Sequence, residues 1–387
     1  MVLFQKTVDV MAWDNGFGCD KFMVNLLSLA EMERMSTLEP QFRQLSFQSV
    51  YCSYTPPKLR PAASNLVESD RGLNVKKLVI EYNGNTYAVG PFAIEQDIDG
   101  GASNFDRKKF EQETEAIKLL VAIAYFFPMN DNIVINKLMV GLSLEAFEKY
   151  SKSLQGKYSG FETTFKVLSV GGVMREVAVK IVEATCIPQG QGALYDAILD
   201  FGKSCTVLPG IEGKKLLDQR IGMLDIGDKT IDGFVTNGLD TIQQSEFWLT
   251  HGISLAYENA HKQIEAPANL IEYHYLNGSM MHFVKDYSHE DLKRLCTTEF
   301  SKIADEIFTK IDVIWNKHYP RLYKILLCGG GGIAVRDQLQ VRLNERSKVH
   351  LELMQNAQFA NVSGYYKLGM LTLQKQLQKD RLYAVKK

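Results

Sequence analysis

WDNGFGCDK, residues 13–21, decides how the rest of the chain is read. It lies between two apolar runs, TVDVMA before it and FMVNLL after it. The runs read as strands over 7–14 and 20–27, so the segment joins neighbours in a sheet. Two residues suffice to turn a hairpin. This connection is longer, carries two glycines, and sets Asp14 and Lys21 at its ends. The surplus suggests a loop that holds a ligand.

Two later segments repeat the theme. LDIGDKTID (224–232) reads as strand, glycine loop, strand, and CGGGG (328–332) follows the buried-looking strand LYKILLC. Glycine lets backbone N–H groups approach phosphate oxygens with no Cβ in the way, and lysine neutralises negative charge. Carboxylates repel bare phosphate, so Asp14 and Asp225 make sense only with a hard cation between. Mg²⁺ keeps several waters and takes one or two carboxylates plus phosphate oxygens. Taken singly, D-x-G-x-G and D-x-G-D-K-T are also ordinary turn sequences. Four consecutive glycines are harder to treat as ordinary, because each costs about 0.5–1 kcal/mol relative to alanine in a regular element. The ordered set of three, each at the end of an apolar strand, points to a triphosphate.

The remaining pattern is α/β. KLVIEYNGNTYAVG (77–90) reads as a hairpin turning at Asn83-Gly84. Residues 106–127 show helical spacing at Phe110, Ile117, Val121 and Ala124, with Asp106 as N-cap. A strand over 132–143 and a helix follow, and the stretch around Pro56, Pro57 and Pro61 reads as an irregular connection. Ser288-x-x-Asp291 opens a long helix whose stripe is Phe300, Ile303, Ile307 and Ile311. The layout of strand, acidic glycine loop, strand and later helix occurs twice, which suggests a nucleotide clamped between two lobes.

Composition narrows the classes further. The 387 residues are 45% hydrophobic with net charge −1, which argues against binding nucleic acid through a broad basic face. The longest apolar stretch, 117–127, is too short to cross a bilayer, and no basic-then-apolar leader opens the sequence. Six scattered cysteines without a C-x-x-C pair read as reduced thiols of a cytoplasmic protein. Trp13, Phe17 and Trp248 read as packing residues, and Arg107-Lys108-Lys109 as a solvated helix face.

Together these motifs resemble the actin/Hsp70/sugar-kinase superfamily, and within it the bacterial actin-like ATPases of the ParM/StbA type. WDNGFGCDK is similar to that family's first phosphate loop, LDIGDKTID to its second, and LLCGGGGIAV to its adenosine loop. IPQGQGALYDAI (187–198) resembles the interdomain connection, and YAVGPFA (87–93) and NVSGYYKLG (361–369) also match. The resemblance implies a duplicated, two-lobed, ribonuclease-H-like α/β fold with a nucleotide cleft between the lobes. Domain I would span 1–186, with 365–387 packing back on it, and domain II 187–364.

It also implies roles, position by position. Asp14 and Asp225 would hold water-coordinated Mg²⁺. The backbone of Asn15, Gly16, Phe17 and Gly18, and of Gly227, Asp228, Lys229 and Thr230, would cradle the β- and γ-phosphates. Lys21 would reach them, and the Thr230 hydroxyl would add a contact. Gly329, Gly330 and Gly331 would pack against the adenosine, and Gln189 would orient the attacking water, as a neutral amide can. The departures are Cys19-Asp20, where relatives carry small or hydroxyl residues, Asp228, and Ser143, where proline is common. The function implied is hydrolysis of ATP, with GTP possible, coupled to dynamic head-to-tail filaments that segregate plasmid DNA. Contact with DNA would run through an adaptor bound to centromeric DNA, with no membrane partner. The alternative in the same superfamily is a small-molecule, sugar-type kinase, but no acceptor-base loop stands between 90 and 190. A chaperone-type ATPase would need an appended peptide-binding domain, for which the sequence shows no segment.

Overall fold

The computed structural model describes residues 5–34, 40–55, 77–96, 109–169, 172–202, 205–264, 271–272 and 288–385. The chain divides into two compact units. One comprises Met1–Pro188, Leu199–Leu208 and Val362–Lys387, the other Gln189–Ile198 and Pro209–Asn361.

Among the described residues the first unit is built on a nine-stranded sheet. Its strands are β1 (Gln5–Asn15), β2 (Cys19–Asn25), β3 (Phe42–Gln48), β4 (Tyr51–Ser53), β5 (Leu78–Tyr82), β6 (Asn85–Val89), β7 (Asn132–Leu142), β8 (Glu162–Ser169) and β9 (Gly172–Pro188). They lie in the order β3-β2-β1-β7-β9-β8-β5-β6-β4. β1 pairs antiparallel with β2 and parallel with β7, so its continuous apolar run is buried in the middle of the sheet. The hairpin β5–β6 turns at Asn83 (φ 50°) and Gly84 (φ 76°), the left-handed pair that matches strand twist.

The helix expected over 106–127 is shorter than its periodicity implies. It runs Ala116–Phe126, after two 3₁₀ turns, Lys109–Glu111 and Glu113–Glu115. The amide N–H groups of Gln112 and Glu115 reach back three residues rather than four, which tightens the chain and separates Phe110 from the helix. Asp106 lies outside the described residues, as do Arg107, Lys108 and the three prolines of the polar connection.

The second unit repeats the central motif on a sheet that is six-stranded among the described residues. Arg220–Ile226 pairs antiparallel with Ile231–Asn237 and parallel with Leu322–Cys328, as β1 does with β2 and β7. Asp225 faces Asp232 on one side and Cys328 on the other, and Asp14 faces Lys21 and Gly141 in the corresponding way. Ser288 caps the helix His289–Trp315 through a reciprocal capping box with Asp291. Its Phe300, Ile303, Ile307 and Ile311 are buried in the unit's core. Trp13 is buried in the core of the first unit, whereas Trp248 is 40% exposed, against the packing role expected for it. Trp248 occupies the middle of the three-residue strand Phe247–Leu249, whose flanking residues point inward.

Candidate functional site

The loop between β1 and β2 is only Gly16–Gly18, because Asp14 and Lys21 already belong to the paired strands. Lys21 Nζ lies 3.1 Å from Asp14 Oδ2, and the carboxylate is almost wholly enclosed. The bend is tight: Gly16 N–H donates to Asp14 O at 3.0 Å. A Cβ on Gly16 would stand 2.4 Å from the Cys19 carbonyl oxygen, so only glycine fits. Ser49 N–H holds the far side through Gly18 O at 2.8 Å.

Beneath this loop lies a buried polar cluster. Lys109, expected on a solvated face, is wholly buried, and Nζ donates to Gly16 O at 2.7 Å and to Asn15 Oδ1 at 2.9 Å. Its ammonium also lies 4.4 Å from the centre of the Phe17 ring. Lys118, on the helix Ala116–Phe126, reaches Ser49 Oγ and Glu115 Oε1 at 2.9 Å each, and Asp20 Oδ2 at 3.4 Å. Asp20 accepts Trp13 Nε1–H at 2.7 Å, which accounts for an acid where a small residue was expected. Burial, then the neighbouring Lys118, pushes the Lys109 ammonium down to about 7 against the pull of Glu115, Asp20 and Asp14. For Lys118 burial acts in the same sense, but Asp20 and Glu115 outweigh it and hold the group above the ordinary lysine range.

In the second unit the loop 227–230 closes through Gly227 N–H to Thr230 O at 2.9 Å. The start of the helix Ser254–Ile264 straps it down: Ile253 N–H donates to Gly227 O, and Ser254 donates to Asp228 O through both N–H and Oγ–H. Gly252 makes this approach possible, since a Cβ there would lie 2.3 Å from Gly227 O. Lys229 is paired with Glu258 at 2.6 Å, which leaves its assigned part to the backbone. Burial, reinforced by Asp228, pushes the Glu272 carboxyl up to about 7.

Asn361 ties Asp225 to the turn that carries Gln189. Its Nδ2 donates to Asp225 Oδ2 at 2.6 Å, and its Oδ1 accepts Gly190 N–H at 2.9 Å and Ala193 N–H at 3.1 Å. Gln189 is half-buried at the end of β9, and Gly190 (φ 77°) turns the chain into the helix Gln191–Ile198. The glycine run after Leu322–Cys328 packs on the same aspartate. Gly329 has φ 82°, and a Cβ there would meet Ile226 O at 2.3 Å and Asp225 Oδ1 at 2.6 Å. Gly331 N–H donates to Ile226 O at 2.9 Å, and Gly332 opens the helix Gly332–Asn344. A Cβ on Gly330 would meet nothing within 4 Å among the described residues.

Each unit by itself supplies one nearly buried carboxylate of the hard-oxygen kind that suits Mg²⁺ held through water: Asp14, with one oxygen fixed by Lys21, and Asp225, with one oxygen fixed by Asn361. Within the first unit the structure gathers Asp14, Asn15, Gly16, Phe17, Gly18 and Lys21. Within the second it gathers Gln189, Asp225, Gly227, Asp228, Lys229, Thr230, Gly329, Gly330 and Gly331. Three residues of this machinery carried no assigned role from sequence: Lys109, Lys118 and Asn361. Asn361 lay in a stretch that carries the resemblance, NVSGYYKLG, whereas Lys109 was read as part of a solvated helix face and Lys118 only as part of an apolar helical run.

Two sheets that each set an aspartate at the tip of a hairpin, beside a parallel strand, make a duplicated α/β architecture of the actin-like class. Alp7A, described as an actin-like protein, matches with a TM-score of 0.72 at 15% identity, over 97% of this chain and 100% of that one. A 15-stranded ParM filament from Clostridium botulinum matches at 0.63 and 20% identity, over 94% and 99%. The archaeal actin homologue Ta0583, in complex with ADP, matches at 0.62 and 16% identity, over 93% and 98%. No curated protein matches the sequence significantly. Residues 42–192 match the family described as actin like proteins, N terminal domain, and residues 223–341 the archaeal actin homologue MreB-like, C-terminal family. The chain thus carries an actin-like N-terminal domain and an archaeal MreB-like C-terminal domain.

Proposed function

We propose that the chain binds and hydrolyses ATP, with GTP the other candidate, and that the nucleotide controls head-to-tail assembly into filaments. The observation that carries this reading is the repeated geometry of Asp14 and Asp225, each enclosed at the tip of a hairpin beside glycine backbone. Asp14 and Asp225 would hold Mg²⁺ through water, and the ion would supply neutralisation of the charge that builds on the transferring phosphoryl group. The backbone of 15–18 and 227–230 cradles the β- and γ-phosphates. Lys21 leaves Asp14 for a phosphate oxygen, and Thr230 adds its hydroxyl. Gly329–Gly331 meets the adenosine, where the open space at Gly330 suits a close approach. Gln189 orients the attacking water without deprotonating it.

An ADP complex of an archaeal actin homologue and a filament of a ParM support the nucleotide and the polymer respectively. A contact that joins unlike faces and does not close generates an open helical polymer. Plasmid partition through an adaptor on centromeric DNA is the setting we assign, with no direct nucleic-acid contact. Among the described residues no helix is long and apolar enough to cross a membrane. The test is Mg-dependent phosphate release from ATP. Asp14→Ala and Asp225→Ala are expected to abolish it while the protein stays folded, and Gln189→Ala to slow it while nucleotide binding persists. Unchanged hydrolysis in both aspartate variants would refute the assignment.

A further inference from the structure

The cluster beneath the first loop has a chemical consequence for the loop itself. Asn15 Oδ1 receives Lys109 Nζ at 2.9 Å and stands 3.5 Å from Lys118 Nζ. Two nitrogen donors converge on this one atom, so the amide cannot be turned round: the oxygen must face the lysines. The amide nitrogen is thereby directed away from them. Asn15 is 1% exposed, and its Nδ2 has no hydrogen-bond partner among the described residues. A buried donor left unmade is costly, and such groups mark places where a ligand or ion completes the set. Lys109 acts on the loop a second time, through Gly16 O at 2.7 Å. Both bonds need only an N–H, which an amine supplies as well as an ammonium.

We propose that Lys109 is a positioning residue of the first glycine loop: together with Lys118 it holds the side-chain oxygen of Asn15 and so commits Asn15 Nδ2 to a phosphate oxygen of the nucleotide. This rests on the reading of 15–18 as a phosphate loop, and adds to it a side-chain donor and the residues that aim it. Cation and amide act as a relay. Lys118 carries positive charge close behind the loop, while the buried amide holds a directional N–H for the phosphate. Because the loop serves the β- and γ-phosphates, the relay acts on ADP and ATP and spares AMP.

Calorimetric titration with Mg-ADP and with AMP tests this on the full chain. Lys109→Met keeps the length of the side chain and removes Nζ. It is expected to weaken Mg-ADP binding by about tenfold to hundredfold, the range for losing a hydrogen bond to a charged group, and to leave AMP affinity within about twofold. In the wild type labelled with ¹⁵N-asparagine, the Asn15 side-chain amide signal is expected to shift with Mg-ADP and stay in place with AMP. That signal is identified by its loss in Asn15→Asp, which keeps an acceptor for both lysines. The labelled wild type decides the matter should Lys109→Met fail to fold. Equal loss of Mg-ADP and AMP affinity, or an Asn15 amide signal indifferent to Mg-ADP, would overturn the relay. A wild type that binds neither nucleotide would instead overturn the phosphate-loop reading on which it stands.

Discussion

Replacing Asn361 by leucine removes three hydrogen bonds at one buried point. The lost bonds are those to Gly190 N–H, Ala193 N–H and Asp225 Oδ2. Asn361 is 4% exposed and Asp225 5%, so water cannot readily take over from the amide. The two neutral bonds contribute about 1 kcal/mol each and the bond to the carboxylate about 1.5–3 kcal/mol, together about 3.5–5 kcal/mol. For a unit of this size each kilocalorie shifts the melting temperature by about 2–4 °C, so a fall of roughly 7–20 °C is expected. Fluorescence of Trp315, buried in the core of the same unit, follows the transition. Asn361→Asp separates the contributions. It keeps an acceptor for both N–H groups but sets a second carboxylate against Asp225. One of the two must then hold a proton, which raises its pKa in the folded state. The folded state of that variant binds more protons than the unfolded one, so its stability falls as pH rises through the carboxylate range and beyond. A leucine variant that melts within 2–3 °C of the wild type would refute the view that Asn361 fastens Asp225 to the Gln189 turn.

Gly329→Ala should destabilise strongly, because its φ of 82° and the Ile226 carbonyl 2.3 Å from the added Cβ leave no room. Gly330→Ala, with nothing within 4 Å, should melt as the wild type does yet bind nucleotide more weakly; the pair is read by thermal denaturation and nucleotide titration. His318 is buried with neither ring nitrogen hydrogen-bonded among the described residues, and burial, then Arg220 and Lys317, hold its pKa below 6.5. The unfolded chain therefore takes up the proton first as pH falls through 6.5, and this part of the stability is present above that pH and lost below it. Urea unfolding between pH 5 and 8 should show this slope, and His318→Leu should flatten it.

The loops were legible because their chemistry is local. Asp14, Gly16, Asp225, Gly227 and Gly329 stand at strand ends, where turn geometry and residue type suffice to mark them. Asn83-Gly84 and Ser288-x-x-Asp291 were legible for the same reason. Lys109 was not, because a lysine in a run of basic residues reads as solvated until the fold brings Asn15 and Gly16 to it across more than 90 positions of sequence. Lys118 sits in an apolar run whose pattern says only that the helix is buried, and its partner Asp20 looked like an oddity of the loop. Asn361 reaches Asp225 over 136 positions, a contact no spacing rule contains. The helix over 106–127 was overdrawn because apolar spacing continues through Phe110, although the backbone there has tightened into 3₁₀ turns.

Light scattering recorded together with phosphate release, after Mg-ATP is added to the purified protein with no other substrate, bears most directly on whether this is a nucleotide-driven polymer. Scattering is expected to rise before phosphate appears and to decay once ATP is spent. Scattering that stays flat across nucleotides and protein concentrations would contradict filament formation and point to a kinase acting on a separate acceptor.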